Sequence, residues 1–370
     1  MELNNVETLE QWYPLNFEDK LKGRRITFEN IEPIIKKLST KFKKEIIGYS
    51  ENKIPIYKIS IGAGKIKILT WSQMHGNEST GTKALFDLFK FIECETPDTD
   101  NITNIILSKC TLEFIVLLNP DGAIKFTREN TNNIDLNRDA VNKIAIESQL
   151  LRTTLDSFSP KFCFNLHDQR SIFNVEETSN PATISFLAPS EDEKKSITKG
   201  RKETMSVIVA MNNLLQQIIP NHIGRYTDEF YPTATGDNFQ KLGHNTILIE
   251  AGHFKNDYDR DITRKFNFYA ILEGLYFIAT TSSYTNYKPY FNIPNNDKLF
   301  LDIIYKNIKV VKNNSTQTED IGIQYKFKVK NNELIKYKFI ENQGDLSSFH
   351  TNSLINAENL DIIDLKLSNS

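Results

Sequence analysis

The sequence predicts an α/β protein: a mixed, mostly parallel, twisted sheet with helices on both faces, followed by a small β-rich C-terminal module. Three observations carry that expectation. Between Lys53 and Glu250 short β-branched runs alternate with longer segments of helical period, the pattern of strands covered by helices. Several of the runs are apolar from end to end, as strands buried on both faces are. Beyond Thr280 the texture changes to alternating segments separated by turn-forming residues.

In chain order, Ile31–Lys44 is helix-like and belongs to a lead-in of about 50 residues packed on the main domain. Ile54–Ile61 and Lys65–Ser72 are expected strands around the turn residues Gly62-Ala63-Gly64. Ser79–Glu93 is an expected helix, because Ala84, Leu85, Leu88, Phe89 and Ile92 form one stripe at helical spacing. Thr111–Leu118 is a buried strand that stops at the turn signal Asn119-Pro120-Asp121-Gly122. Ala140–Phe158 is a helix, Phe162–Leu166 a strand, Asp192–Ile219 one or two helices, Thr246–Ile249 a buried strand, and Asp261–Thr280 an amphipathic helix. Gln324–Lys330 and Leu334–Ile340, joined at Asn331-Asn332, form a hairpin. A boundary is expected near 285, giving a main domain 1–285 with its lead-in 1–50, and a smaller domain 286–370.

Composition excludes several classes of function. The 370 residues carry 45 Lys and Arg against 47 Asp and Glu, a net charge of -2. Neutralising many phosphates requires a cationic excess, so nucleic acid is not an expected partner. Cys94, Cys110 and Cys163 form neither a disulfide framework nor a cysteine zinc cage, which fits a reducing compartment. No apolar run approaches the roughly 18–20 residues of a membrane span, and the acidic start has no export-signal pattern, so a cytoplasmic location is expected.

The chemistry gathers at expected strand ends. His75 and Glu78 follow a buried strand and precede a helix, at the sheet edge where open α/β sheets place ligands. A His and a Glu can each give one bond to Zn²⁺, and a catalytic site needs a third ligand and an open position. A lone His-x-x-Glu carries little weight, but His167 ends another buried strand and supplies a third ligand. Glu250 ends the run Thr-Ile-Leu-Ile before Ala-Gly and suits a general base and acid. Arg128 and Arg138 lie in a loop beyond a strand, where a guanidinium fork suits a carboxylate or a developing oxyanion. Each residue taken singly has an ordinary reading as a strand-end or loop polar group.

His-Gly-Asn-Glu78, Asn-Pro-Asp-Gly122, Thr-Arg128-x-Asn-x-x-x-Ile-Asp135-Leu-Asn137-Arg138, Asn-Leu-His167 and Ile-Glu250-Ala-Gly occur in one order from about Gly48 to Thr280. In this the chain resembles the zinc carboxypeptidase family, in particular its bacterial short-loop members. The resemblance implies one zinc per chain held by His75, Glu78 and His167, with Glu250 as general base and acid. It implies that Arg128 polarises the scissile carbonyl, that Asn137 and Arg138 bind the substrate's terminal carboxylate, and that Asp135 hydrogen-bonds His75. The family's mobile tyrosine corresponds to Tyr231, with Tyr226 as the second candidate. Asp237 falls near the specificity-pocket position, where it favours a basic or amino-bearing residue, against its plain reading as a turn former.

The expected activity is hydrolysis of a peptide, or a peptidoglycan-type peptide, at an amide bond near a free carboxylate, through Glu-assisted attack of water at zinc. An N-acyl amino acid deacylase of the aspartoacylase or succinylglutamate desuccinylase type is the second reading. Asn-Pro-Asp-Gly and the segment Gly48–Tyr57 favour the first. A catalytically inactive binding module is the third, and the presence of every expected ligand and of the base speaks against it. His253 is expected to be packed or to sit behind the site, while His222, His244 and His350 have no assigned partner.

Overall fold

The computed structural model describes residues 6–312 and 315–359. Helices α1 (Val6–Asn16) and α2 (Phe28–Lys37) precede strand β1 (Lys43–Tyr49), β2 (Pro55–Ile61) and β3 (Ile66–Ser72). Then come α3 (Thr80–Glu93), α4 (Pro97–Lys109), β4 (Cys110–Ile115), α5 (Pro120–Lys125), α6 (Ile146–Phe158) and β5 (Phe162–Asp168). The short strands β6 (Asn174–Val175) and β7 (Ile184–Leu187) lead to α7 (Lys199–Gln216), β8 (Ile223–Arg225), α8 (Thr235–Lys241), β9 (Asn245–Ala251) and α9 (Thr263–Thr280).

Eight strands form the main sheet in the order β1-β2-β4-β3-β5-β9-β7-β8. Its centre is parallel, with β4, β3, β5 and β9 side by side, and antiparallel strands flank it. The carboxyl ends of β3, β5 and β9 therefore open on one edge, where the crossovers leave a crevice. The sheet is of the expected class, mixed and parallel at its centre.

Several boundaries differ from the sequence-based expectation. The Ile31–Lys44 segment divides into α2 and the start of the edge strand β1, because the apolar stripe ends at Leu38. Helix α6 starts at Ile146 rather than Ala140, since the Asp139 carboxylate accepts from the backbone of Ile144 and Ala145 and holds the chain in a turn. The Asp192–Ile219 region yields a single helix, capped by the Thr198 side chain. Strand β4 ends its ladder at Ile115, and Asn119-Pro120-Asp121-Gly122 starts a short helix rather than a turn, with Asn119 accepting from Gly122 N–H. Helix α9 is buried on nearly its whole circumference and is not amphipathic, because α3, α4 and α7 all pack on it. Helix α4 was not expected; a capping box at Thr96 and Thr99 and Pro97 in its first turn set its start.

The N-terminal segment is built into the core. Leu9, Trp12 and Tyr13 pack against Phe91, Phe268 and Tyr269. Arg264 on α9 and Asp87 on α3 form a buried pair, and Asp87 also accepts from the Tyr13 hydroxyl and the Glu18 backbone.

Beyond α9, β10 (Asn296–Asp297) pairs with β6, and β11 (Phe300–Leu301) pairs with β15 (His350–Thr351). Strands β12 (Ile303–Lys312), β13 (Ser315–Lys330), β14 (Glu333–Gly344) and β16 (Leu354–Asn356) form a second sheet in the order β14-β13-β12-β16. Its expected hairpin is present: Asn331 and Asn332 both have positive φ, 52° and 64°, as a two-residue turn of the type that matches strand twist requires. Asp302 ties this sheet to the main one, accepting from Ser171 and Tyr258. Among the described residues no helix is long and apolar enough to cross a membrane.

Candidate metal centre

His75 and Glu78 lie in the tight turn between β3 and α3, closed by the Glu78 N–H donating to the His75 carbonyl. Gly76 makes that turn possible, since a Cβ there would stand 2.0 Å from the Gly122 backbone. His167 and Glu250 sit one residue from the ends of β5 and β9 and are register partners across the parallel ladder. Both are inside their strands rather than just after them, so sheet hydrogen bonds fix their directions.

Three ligand-type side chains converge. His75 Nδ1 lies 2.8 Å from Glu78 Oε1, His167 Nδ1 2.8 Å from Glu78 Oε2, and the two Nδ1 atoms 3.2 Å apart. One ligand atom from each residue falls within 4.8 Å of the others. Zinc bonds of about 2.0–2.2 Å put tetrahedral ligand atoms roughly 3.3 Å apart, so the donor set fits that ion. Behind it, His75 Nε2–H donates to Asp135 Oδ1 at 3.0 Å, which leaves the Nδ1 lone pair for a metal. His167 Nε2 is buried without a hydrogen-bond partner among the described residues.

Asp135 does more than orient His75. It accepts from the Asn137 backbone at 2.8 Å, opening the short 3-10 turn Leu136–Arg138, and from Arg128 Nε at 2.9 Å. Burial alone would raise its pKa, but the His75 and Arg128 partners hold it well below the usual range. Arg128 Nη1 then reaches within 3.2 Å of His75 Nδ1 and 3.6 Å of Glu78 Oε1.

Two enclosed carboxylates diverge in the same small volume. Burial would raise Glu78, yet the His75 charge and the bonds from both histidines hold it well below its ordinary value. Glu250 goes well above its ordinary value, through burial and the nearby Glu78 and Asp168 charges, against Arg128 and Arg260. One group stays an anion fit for a ligand, and the other takes up a proton readily.

The remaining expected residues line the same cavity, of about 760 Å³. Asn137 Oδ1 accepts from the Thr235 N–H at 2.9 Å, which leaves its amide donors without a protein partner among the described residues. Arg138 is exposed, with its guanidinium 5.9 Å from the Tyr231 ring centre. Tyr231 itself is 47% exposed and donates its hydroxyl to Glu229. Tyr226 is the tyrosine whose electrostatic neighbours are Glu250, Glu78 and Arg128, and burial first, then those carboxylates, raises its phenol. Asp237, in the first turn of α8, accepts from the Tyr231 N–H, and burial pushes it up to about 6.

The other histidines have structural partners. His253 bonds to Asn352, His222 to the Pro181 carbonyl, His244 to that of Pro160 and His350 to that of Glu177. Sequence reasoning missed one whole side of the cavity: Arg24 from the segment before α2, and Tyr325, Lys326, Phe327 and Tyr337 from β13 and β14. No local spacing announces them, because they meet only through contacts between the two ends of the chain.

Comparison with known proteins gives the family and the fold. The profile of the family described as zinc carboxypeptidase matches residues 31–218, about half of the 370-residue chain. The chain belongs to the zinc carboxypeptidase family. Carboxypeptidase SOL1 of Arabidopsis thaliana is 34% identical over 99 residues, which is 25% of this chain and 20% of that relative. This chain therefore matches about a fifth of that relative's length. A metallo-carboxypeptidase from Burkholderia cenocepacia shares the fold with a TM-score of 0.55 at 15% identity, over 69% of each chain. The carboxypeptidase A of Helicoverpa armigera does so with a TM-score of 0.53 at 14% identity, over 74% of this chain and 80% of its own.

Proposed function

We propose that this zinc carboxypeptidase-family protein is an active metallopeptidase that hydrolyses the amide bond next to a free C-terminal carboxylate, in a peptide or a peptidoglycan-type peptide. The observation that carries this reading is the convergence of His75, Glu78 and His167 beside a proton-accepting Glu250 and the Arg128 guanidinium. Those three side chains would hold one zinc ion per chain, which would supply the Lewis acidity to acidify a water and polarise a carbonyl.

The chain's own groups account for the rest. Glu250, the register partner of His167, takes the proton of the attacking water and delivers it to the leaving amine. Arg128, fixed by Asp135, faces the charge that develops on the carbonyl oxygen. Asn137 and Arg138 bind the terminal carboxylate, with amide and guanidinium donors from one short turn. Tyr226 suits the role of the phenol beside the reacting atoms better than Tyr231, whose hydroxyl is committed to Glu229. Asp237 selects a basic or amino-bearing leaving residue. We place the catalytic domain at 1–285 and treat 286–370 as a module that completes one wall of its cavity.

The test is a product assay with zinc-loaded protein, comparing release of C-terminal residues from peptides, including diaminopimelate-containing ones, with deacylation of N-acyl amino acids. Release of C-terminal residues is the expected result. Deacylation alone overturns the peptidase reading.

A further inference from the structure

The proposed reading uses only part of the cavity lining. Arg138 and Asn137 take the carboxylate of the leaving residue, and the metal ligands with Glu250 and Arg128 take the scissile bond. Among the lining residues left over, Arg24, Phe327 and Phe126 form one contiguous patch along which the acyl side of the substrate can run, with the Arg24 guanidinium over Phe327 and the Phe126 and Phe327 ring centres 6.2 Å apart. Arg24 and the β13 residues lie outside the span matched by the family profile.

Arg24 is held in place but its charge is not used up. Its carbonyl accepts from Ser79 Oγ at 2.6 Å, and the neighbouring carbonyls of Gly23 and Ile26 accept from Lys83 and Gln73. Arg25 beside it donates to the Ile124 carbonyl and to Asn332 at the hairpin tip. The Arg24 side chain is only 14% exposed, yet it makes no hydrogen bond among the described residues. Its ion partner Asp168 stands 3.9 Å away, beyond hydrogen-bond range, and its Cζ lies 5.1 Å from the Phe327 ring centre.

Asp168 is also shared. Its Oδ2 accepts from the Thr80 hydroxyl, and the buried Arg260 guanidinium competes with Arg24 for its charge. Asp168 is thus shared between two guanidiniums, and it makes no hydrogen bond with that of Arg24. His253 nearby is pushed down to about 3, by burial first and then by Arg260 and Arg24. A rigidly carried guanidinium with five donors and no acceptor is a receptor for a carboxylate.

We propose that Arg24 is the acyl-side anchor of this enzyme: its guanidinium, lying over Phe327, binds a carboxylate side chain on the residue immediately N-terminal to the scissile bond. This rests on the carboxypeptidase reading, since Arg138 sets the direction in which the substrate lies. The preferred substrate is therefore one with an acidic residue before the residue released.

The experiment uses zinc-loaded protein and two dipeptide series, acetyl-Glu-X and acetyl-Gln-X, with X varied over the common amino acids. The quantity read is the ratio of kcat/KM for Glu over Gln at the best X, which is unaffected by the folded fraction of a variant. The parent is expected to prefer Glu by at least about tenfold, as a hydrogen bond to a charged group allows. Arg24→Gln brings the ratio to near one by lowering the rate on Glu alone. Arg24→Lys keeps the charge without the fork and retains an intermediate ratio. A parent ratio near one, or a ratio unchanged by Arg24→Gln, overturns the inference while release of X leaves the carboxypeptidase reading standing. No release of X from either series overturns both.

Discussion

The two long sides of the cavity are held by different kinds of constraint. On one side the metal ligands and Glu250 sit at the ends of neighbouring parallel strands, with His167 and Glu250 in register and His75 and Glu78 in a single tight turn. On the other, Arg24 and Phe327 meet through side-chain contacts, and Arg25 reaches Asn332 across 307 residues of sequence. Sheet hydrogen bonds place the reacting groups with little freedom, whereas the acyl-side wall depends on the docking of two chain ends. Chemistry and selectivity are thus separable, and substitutions on the two sides have different signatures.

On the metal side, His75→Ala and His167→Ala are each expected to abolish zinc binding at micromolar metal and all detectable hydrolysis, measured by metal analysis of the dialysed protein. Chelation of the parent lowers its thermal midpoint, because a ligand of the native state stabilises by mass action. The same chelator leaves the His75→Ala midpoint where it was. Glu250→Gln keeps the metal and loses about 10²–10⁴-fold in kcat. Unchanged turnover in that variant removes Glu250 from the mechanism.

This contrast also sets what the sequence could disclose. His75 and Glu78 are legible because the turn that joins them is local, and His167 and Glu250 because apolar runs mark the strands they end. The hairpin turn was readable from Asn331-Asn332, the residues that tolerate two successive positive φ angles. Arg24 was not legible: Lys22-Gly-Arg-Arg25 has no period and no motif, and its meaning comes from Phe327 and Asp168. Helix α9 misled for the opposite reason. Its burial comes from three helices packed around it, and a single-sequence period cannot register neighbours.

The N-terminal arm that carries Arg24 hangs on Asp87. That carboxylate pairs with Arg264 and accepts from Tyr13 and from the Glu18 backbone, all buried. Asp87→Ala strands an unpaired guanidinium in the core and should cost about 3–5 kcal/mol, read as a lower urea midpoint. The double variant Asp87→Leu with Arg264→Met is expected to lose less than the single one, because no uncompensated charge remains. Equal losses would mean that the arm is held by its apolar contacts with Phe91 and Phe268 rather than by the ion pair.

Asp135→Asn probes the join between the metal and Arg128. The amide is nearly the same shape but supports the His75 ring less strongly, so zinc affinity should fall by roughly 10–100-fold, measured by competition with a chromogenic chelator. Since His167 has no such partner among the described residues, the loss reports the His75 side alone. Saturating zinc restores metal content but not the full rate, because Arg128 also loses its anionic partner.

The mildest variants act at the hairpin tip. Asn332 has φ of 64° and accepts from Arg25 through both its backbone carbonyl and its Oδ1. Asn332→Ala strains the left-handed position by about 1–2 kcal/mol and also removes the Oδ1 acceptor. Asn332→Gly removes only the acceptor, since glycine adopts that conformation freely. Both should leave hydrolysis of the acetyl-Gln series within about twofold, because no metal-side group moves. The ratio of Glu to Gln substrates should fall further in the alanine variant than in the glycine one, as the strained turn shifts Phe327 beneath Arg24. Equal ratios in the two variants would show that the turn's backbone does not position the acyl-side wall, and that Arg24 is held from the Ser79 and Lys83 side alone.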